Sequence, residues 1–403
     1  MKNICIYSFI SICVIVACNQ KSVKTRAEIQ TKDSSRTYGD DRDFLKKHTD
    51  IIELSIGESK VLIAPKLQGR VMTSTCQGDA GFSYGWINYS LFDSGKYMDH
   101  INAYGGEERF WMGPEGGQFA LFFKKGDPFD MKHWQTPGII DTASFDLTES
   151  NSSLARFTKK FEIDNYSGTR FSVTVEREIK LLDVEAIKNI LGISLEDVNC
   201  VGYQSSNSIT NNSNEDWNFD NGVLSIWLLS MINTSLTSTI VLPYKTGQAK
   251  FVNDTYFGKV PKERLIKYDS FLVFKGDANY RSKIGLPPSI AKEFTGSFDS
   301  VRNILTIIKF EKTQTEKYVN SMWENQKFPY KGDVVNAYND GPNENGNRLG
   351  SFYELESSSP AVALKKNEKL IHMQNVFHIH TKNKMALNVL ALQLLGVDLN
   401  ILK

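Results

Sequence analysis

The chain has 403 residues, a formal net charge of +1 and only five cysteines. A charge so close to neutral excludes the strongly basic surface that attracts nucleic acids or anionic membranes. The length suits either two ordinary domains or one large all-β domain. Neither a Cys-x-x-Cys nor a His-Glu-x-x-His pattern occurs in the sequence, so we expect no metal and no other cofactor.

The first residues have the pattern of an export signal. Lys2 supplies a positive charge, and residues 4–17 form a largely apolar run without charges. This run is shorter than the ~20 residues of an ordinary membrane-spanning helix and fits the apolar region of a signal peptide. Residues 15–18 read Ile-Val-Ala-Cys, which resembles a bacterial lipobox. The resemblance implies cleavage after residue 17 and lipidation of Cys18, and a plain signal peptide with an incidental cysteine is the alternative.

The sequence predicts three parts for the chain. A signal peptide covers residues 1–17, and a polar, flexible tether rich in Lys, Ser, Thr and Asp covers residues 18–42. A single folded domain covers residues 43–403. We expect the mature protein to be a monomer in the cell envelope, held on the bacterial outer membrane by its lipid alone. Its remaining cysteines, Cys76 and Cys200, could pair after export, but their spacing does not decide this.

Short β-type runs dominate the domain and predict one large antiparallel β fold. In residues 170–181 apolar and polar side chains alternate, as in a half-buried strand. Further runs cover residues 51–56, 60–64, 119–123, 154–163, 223–231, 304–310, 352–356 and 370–380. Two helices are predicted, over residues 315–324 on their apolar spacing and over residues 385–395 before Gly396.

A glycine-rich segment over residues 105–117 is the first candidate site. It combines three glutamates and an arginine with five glycines, a proline, a phenylalanine and a tryptophan. Gly and Pro predict a loop, and the other side chains can bind sugar hydroxyls or a uronate carboxylate and stack on apolar ring faces. The candidate sugar-binding residues are Glu107, Glu108, Arg109, Trp111 and Glu115. A rigid loop in which the arginine pairs with a neighbouring glutamate is the alternative.

Two carboxylates in a predicted strand form the second candidate site. Glu354 and Glu356 are two residues apart, so their side chains share one face of the strand at ~7 Å. On a buried face, their repulsion raises one pKa and makes that group a usable general acid or base. On a face in bulk water, the pair has no such consequence.

Other charged residues allow weaker predictions. Arg281 lies in the mixed-charge segment 277–285, which is either a solvated turn or part of a site for an anionic sugar. His372, His378 and His380 share one face of a predicted strand. They could bind a metal or be ordinary strand histidines, and the sequence offers no partner motif for a metal.

Taken in order, these segments resemble the galactose mutarotase-like superfamily. Residues 352–357, 361–364, 367–369 and 376–379 resemble its C-terminal signature, in which a Glu-bearing strand precedes an apolar strand, a turn and a closing strand. Residues 105–114 resemble its glycine-rich loop with a tryptophan. The chain is also similar over most of its length to an uncharacterised family of bacterial lipoproteins. The resemblance implies an all-β fold, a galactose mutarotase-like β-supersandwich of large antiparallel sheets with few short helices.

The resemblance also implies roles for individual residues. In mutarotases and aldose epimerases a glutamate of the C-terminal strand takes the proton of the anomeric hydroxyl, and a mid-chain histidine protonates the ring oxygen. Glu356 matches the base, Glu354 is its alternative, and Arg109 matches a sugar-binding position. The motif Asn-His-x-Tyr-Phe is absent, because Asp254 occupies the place of its histidine. His133, the only histidine between residues 101 and 371, is the remaining candidate acid.

Three functions are compatible with these patterns. The first is a carbohydrate-active enzyme, either of the aldose 1-epimerase type or a lyase or hydrolase accessory in the use of polysaccharides. The second is a lipid-anchored sugar-binding protein without turnover, and the third is a structural envelope protein. The missing histidine motif favours the non-catalytic sugar-binding protein over the enzyme. The charged loop and the paired glutamates favour a carbohydrate ligand over a purely structural role.

Overall fold

The computed structural model describes residues 36–343 and 345–402, and antiparallel strands make up most of its regular structure. The strands are β1 (Ile52–Ile56), β2 (Ser59–Ala64), β3 (Arg70–Thr75), β4 (Arg109–Gly113), β5 (Asp146–Ser150), β6 (Leu154–Asp164), β7 (Arg170–Leu181), β8 (Asn199–Asn211), β9 (Ser225–Asn233), β10 (Ser238–Pro243), β11 (Leu265–Lys267), β12 (Phe271–Lys275), β13 (Ser282–Leu286), β14 (Phe294–Asp299), β15 (Ile304–Phe310), β16 (Val335–Asn339), β17 (Phe352–Ser358) and β18 (Lys369–His380). The helices are α1 (Tyr38–His48), α2 (Tyr89–Ser94), α3 (Gly138–Asp141), α4 (Val184–Leu191) and α5 (Lys384–Leu395). The predicted all-β class is confirmed.

The described strands form three sheets. A ten-stranded sheet has the order β11-β12-β10-β14-β15-β18-β8-β7-β6-β5, a five-stranded sheet the order β13-β16-β17-β9-β4, and a small sheet the order β1-β2-β3. The strand pairs in the two large sheets are antiparallel, as the alternating strands of the sequence predict.

The two large sheets share a hydrophobic core. In the five-stranded sheet the register aligns Ile284, Ala337 and Leu355 across three strands, so their side chains lie on one face. These residues pack in the same buried cluster as Val175 and Val376 of the ten-stranded sheet. The opposite face of the five-stranded sheet therefore points away from the core between the sheets, and it carries the polar side chains considered below.

Helices cover the second face of the ten-stranded sheet. Leu387 and Ala391 of α5 lie in a second buried cluster with Leu305 of β15 and Phe377 of β18. The predicted helix over residues 385–395 is thus confirmed as α5, and Gly396 follows it with a φ of 69°. None of the described helices is long and apolar enough to cross a membrane.

Other element predictions are wrong. Residues 119–123 are not a strand, and residues 315–324 form no helix, because their backbone bonds across the chain rather than along it: Tyr318 N–H donates to Tyr330 O at 3.1 Å, and Asn320 N–H to Pro329 O at 2.8 Å. The spacing of apolar residues within a segment cannot reveal hydrogen-bond partners that lie outside that segment.

The glycine-rich segment also differs from the predicted loop. Its centre is strand β4, which pairs with β9 and is buried at all five residues. The glycines are needed before the strand instead. Gly106 has a φ of 119°, and a Cβ there would lie 2.5 Å from Cδ of Arg70.

The folded part begins before residue 43, where the sequence places the end of the tether. Helix α1 starts at Tyr38, and Thr37 and Asp40 cap it reciprocally: the side chain of each residue accepts a hydrogen bond from the backbone N–H of the other. The predicted signal peptide, Cys18 and most of the predicted tether lie outside the described residues. Cys76 and Cys200 are free thiols in this structure.

Candidate functional site

A cavity of about 350 Å³ lies on the face of the five-stranded sheet that points away from the core. The register aligns Lys283, Tyr338 and Glu354 across β13, β16 and β17, and all three side chains line the cavity. Glu356 lies in the next row on the same face, opposite Leu229 of β9. The two glutamates share a buried face, which is the condition that the sequence left open.

Glu356 lies on the floor of the cavity with a side chain that is 1% exposed. Its Oε2 accepts hydrogen bonds from Nε1 of Trp227 and from Nζ of Lys283, both at 2.9 Å. Its Oε1 is buried and has no hydrogen-bond partner within residues 36–343 and 345–402. Hydrogen bonds within the protein therefore fix Oε2, while Oε1 can still accept a hydrogen bond.

Glu354 forms the second buried ion pair of the cavity. Its Oε1 lies 2.5 Å from Nη2 of Arg109, and both side chains are less than a tenth exposed. Burial raises the pKa of Glu354 to about 7, Arg109 opposes this rise, and the nearby Glu356 adds to it. Arg109 also stacks its guanidinium on Trp111, with 4.8 Å from Cζ to the ring centroid, and its buried Nε is unpaired among the described groups.

Lys283 provides the positive charge next to Glu356. Its Nζ lies 4.6 Å from the ring centroid of Trp227 and 5.5 Å from that of Tyr256. Burial on its own lowers the pKa of this amine, but its surroundings, and above all the charge and hydrogen bond of Glu356, raise the pKa above its usual value. The lysine is therefore an ammonium ion at physiological pH.

Glu115 lines the cavity from the segment that follows β4. Its Oε1 accepts a hydrogen bond from Nε1 of Trp134 at 2.9 Å, and its backbone N–H donates to Oγ of Ser321 at 3.2 Å. Burial raises the pKa of this carboxyl, Lys283 opposes the rise, and Glu356 adds to it. In contrast to Glu354 and Glu356, it has no ion pair with any described cation.

Aromatic side chains form the walls. Trp111 and Trp227 meet edge to face with ring centroids 5.5 Å apart, and Trp134 and Trp323 stack at 5.9 Å. A further chamber of about 200 Å³ adjoins the cavity and shares Glu115, Trp134, Trp323 and Arg281 with it. Arg281 stacks over the ring of Phe257 at 4.5 Å.

Arg109, Trp111, Glu115, Arg281, Glu354 and Glu356 are thus brought together in one cavity, although they come from three separate parts of the sequence. Sequence reasoning missed Lys283, Trp134, Trp227 and Tyr256. Lys283 and Trp227 lie inside segments that were singled out, but no single-sequence signal shows which residues of those segments face Glu356.

Other candidate residues lie elsewhere in the molecule. Glu108 is directed to the interior, because its side chain alternates with that of Arg109; it pairs with Arg177 at 2.8 Å. Glu107 accepts from Oγ of Ser74 at 2.8 Å and contacts Nε2 of His378 at 3.0 Å, also in the interior.

The histidines are likewise apart from the cavity. His133 contacts Asp130 at 2.6 Å in a separate depression. His372 and His378 are buried against Ser357 and Thr306, at 2.8 and 2.9 Å, so the strand face that could have held a metal is occupied by hydrogen bonds within the protein. Asp254, in the place of the family histidine, pairs with Lys259 and Lys267 at 2.7 and 3.0 Å.

Fold and cavity together define an all-β protein of stacked antiparallel sheets with a charged, tryptophan-walled cavity on one sheet. The chain belongs to the family of unknown function DUF6786, whose sequence model matches residues 36–403. A comparison with curated protein sequences finds no match.

Several solved structures are similar to the chain. A protein from Synechocystis sp. PCC 6803 has a TM-score of 0.50 at 10% identity, covering 83% of this chain and 96% of that one. A galactose mutarotase-like protein from Lactobacillus casei ATCC 334 has a TM-score of 0.49 at 12% identity, covering 82% and 100%. A provisionally assigned aldose 1-epimerase from Escherichia coli K12 has a TM-score of 0.49 at 10% identity, covering 82% and 98%. At such identities the similarity concerns the fold alone.

Proposed function

We propose that this protein binds a sugar in the cavity of the five-stranded sheet and interconverts its anomers, as an aldose 1-epimerase does. The observation that carries the proposal is the buried, unpaired Oε1 of Glu356 in a cavity with tryptophan walls. A buried polar atom without a partner is rare in proteins and needs an explanation. A sugar hydroxyl that donates to this oxygen supplies one.

The walls fit the apolar faces of a sugar ring. Trp111, Trp134, Trp227 and Trp323 give the cavity rigid aromatic surfaces, and the charged groups between them can bind hydroxyls. A volume of about 350 Å³ lies within the usual range of small-molecule sites. The open cavity also speaks against a structural envelope protein in which this region is packed shut.

Glu356 has the environment of a general base. Lys283 and Trp227 stabilise its ionised form through Oε2, and they leave Oε1 free to take the proton of the anomeric hydroxyl. The C1–O5 bond then breaks, and the ring oxygen takes a proton to give the open-chain aldehyde. Rotation about the C1–C2 bond and ring closure by the reverse steps give the other anomer.

A sugar-binding protein without turnover is the second candidate. One observation favours it: no histidine among the described residues lines the cavity, so the usual proton donor of the resembled family is missing. Both candidates place the same sugar in the same cavity. They differ in whether a second group protonates the ring oxygen.

Anomer exchange and binding by the purified full-length protein test the proposal. Sugars screened by calorimetry should include at least one that binds, and exchange NMR should show faster interconversion of its anomers than in buffer. Glu356→Gln should bind the sugar yet lower kcat by at least ~100-fold, since a general base supplies about that much. Glu263→Gln, a change at an exposed residue outside the cavity, is the matched control and should behave as the wild type.

The outcomes separate the candidates. Binding without anomer exchange by the wild type would favour the non-catalytic protein, and no binding of any sugar would contradict both.

We also propose that Cys18 is lipidated and holds the protein in the cell envelope, because residues 15–18 resemble a lipobox. If Cys18→Ser still fractionated with membranes and carried labelled fatty acid, this part of the proposal would be wrong.

A further inference from the structure

We infer that Glu115, as a neutral carboxylic acid, is the proton donor for the ring oxygen and takes the place of the missing histidine. The inference rests on the proposed anomer exchange in the same cavity. It assigns the acid to a residue outside the strand that carries the base, on the segment that follows β4.

The first argument is the distribution of cations among the buried carboxylates. Glu354 pairs with Arg109 and Glu356 pairs with Lys283, at 2.5 and 2.9 Å. Glu115 instead has the uncharged indole N–H groups of Trp134 and Trp323 as partners, and no described cation lies within ion-pair distance of it. A buried carboxyl without a counter-ion is stabilised in its neutral form, because its ionisation would leave an uncompensated charge.

The second argument is the charge of the surroundings. Burial raises the pKa of Glu115, the charge of Lys283 opposes this rise, and the charge of Glu356 adds to it. The remaining charged groups on the cavity wall are Arg109, Glu354, Arg281 and Glu324. Arg109 and Glu354 largely neutralise each other in their ion pair. The cavity thus offers a buried carboxyl without a paired cation, Glu115, beside one held by an ammonium ion, Glu356, the kind of difference that acid–base catalysis needs.

The third argument is position. Glu115 lines both the main cavity and the adjoining chamber, and Nε1 of Trp134 fixes the orientation of its carboxyl group. Trp134 is itself held by stacking on Trp323 at 5.9 Å. A proton donor needs such orientation, because the transfer depends on the geometry of the O–H bond.

The proton steps balance with these two residues. Glu356 takes the proton of the anomeric hydroxyl through Oε1 while the C1–O5 bond breaks and Glu115 gives its proton to O5. The products are the open-chain aldehyde, a protonated Glu356 and an ionised Glu115. Ring closure on the other face of C1 returns the proton of O5 to Glu115 and the proton of Glu356 to the new anomeric oxygen. No oxidant, reductant or further reactant is required.

The test is the pH profile of Glu115→Gln in the full-length protein. The amide keeps the size of the side chain and an oxygen that accepts from Trp134. We expect sugar binding within about threefold of the wild type and a kcat at least ~100-fold lower. In the wild type, kcat should decline at alkaline pH, because the donor loses its proton. In Glu115→Gln this decline should be absent. Glu263→Gln, a change at an exposed residue outside the cavity, is the control and should keep both the rate and the decline.

A second variant tests the same role without removing the carboxyl. Trp134→Phe deletes one of the two indole N–H groups that stabilise the ionised form of Glu115, so the alkaline decline of kcat should move to higher pH. An unchanged kcat and decline in Glu115→Gln would overturn the inference and leave the proposed function intact. If the decline survived in Glu115→Gln but vanished in Glu354→Gln, the donor would be Glu354. Absence of anomer exchange in the wild type would overturn both proposals.

Discussion

Two buried arginine–glutamate pairs lie on opposite faces of β4 and its neighbouring residues, and their surroundings differ. Glu108 accepts from Arg177 at one oxygen and from Ser205 and Gln374 at the other, and the guanidinium also donates to Gly69 and Asn207. Arg109 and Glu354 bond to each other beside a cavity, and Nε of Arg109 is unpaired among the described groups.

The comparison shows how identical residue types can serve different ends. The interior pair has its hydrogen-bonding capacity used by the protein itself, which is what a stabilising network requires. In the cavity pair, Nε of Arg109 has no hydrogen-bond partner among the described groups, and the carboxyl of Glu354 has a pKa of about 7. Unused hydrogen-bonding capacity next to an open cavity indicates a ligand-binding site.

The largest expected effect is on the interior pair. Arg177→Met leaves the buried carboxylate of Glu108 without its cation, so we expect the free energy of unfolding to fall by about 3–5 kcal/mol. Chemical denaturation with urea measures this change. Arg170→Met, at an exposed arginine on the same strand, should change it far less. Equal losses in the two variants would break the comparison.

The same change at the cavity pair should cost less. Arg109→Met leaves Glu354 free to take up a proton, and the open cavity admits water, so we expect a loss of roughly 1–3 kcal/mol. Sugar affinity should fall as well, because the guanidinium lines the cavity. A loss of stability as large as that in Arg177→Met, with unchanged sugar binding, would show that this pair is only structural.

The last expected effect is a pH dependence confined to the cavity pair. The pKa of Glu354 is about 7 in the folded protein against a usual 4.5, so the folded state binds this proton more tightly than the unfolded chain. Its contribution to stability is full below about pH 4.5 and is lost as the pH rises through about 7.

The measurement for this effect compares urea unfolding of the wild type with that of Glu354→Gln at several pH values. The difference in unfolding free energy between the two should change between about pH 4.5 and 7 in the sense that the wild type loses stability relative to the variant. Glu263→Gln should show no such change. A difference independent of pH would mean that Glu354 is ionised throughout this range.

Much of the fold follows from the sequence, because strand alternation is a local signal. The polar–apolar pattern of residues 170–181 predicts β7, and the apolar run before Gly396 predicts α5. The failures have a physical cause in common. Residues 315–324 and β4 obtain their backbone partners from distant segments, which a local spacing does not contain.

The candidate site was predictable in part. Spacing alone puts Glu354 and Glu356 on one face, and the glycine-rich segment contains Arg109, Trp111 and Glu115, which line the same cavity. Lys283 could not be chosen over Arg281 in their shared segment, because the choice depends on the register between β13 and β16. Glu107 and Glu108 carry the same chemistry as Glu115, yet they bond to interior partners, Ser74 and Arg177, which the sequence alone does not reveal.

The register of β17 determines which insertions into this strand preserve the site. Seven consecutive residues of this strand pair with β9, and side chains along it point alternately to the cavity and to the core. Inserting one residue before Glu354 would turn Leu355 towards the cavity and drive two carboxylates into the core. Insertions of two residues preserve the alternation. Lengthening of this strand during divergence should therefore proceed in even steps, and laboratory libraries that vary its length should respect the same parity.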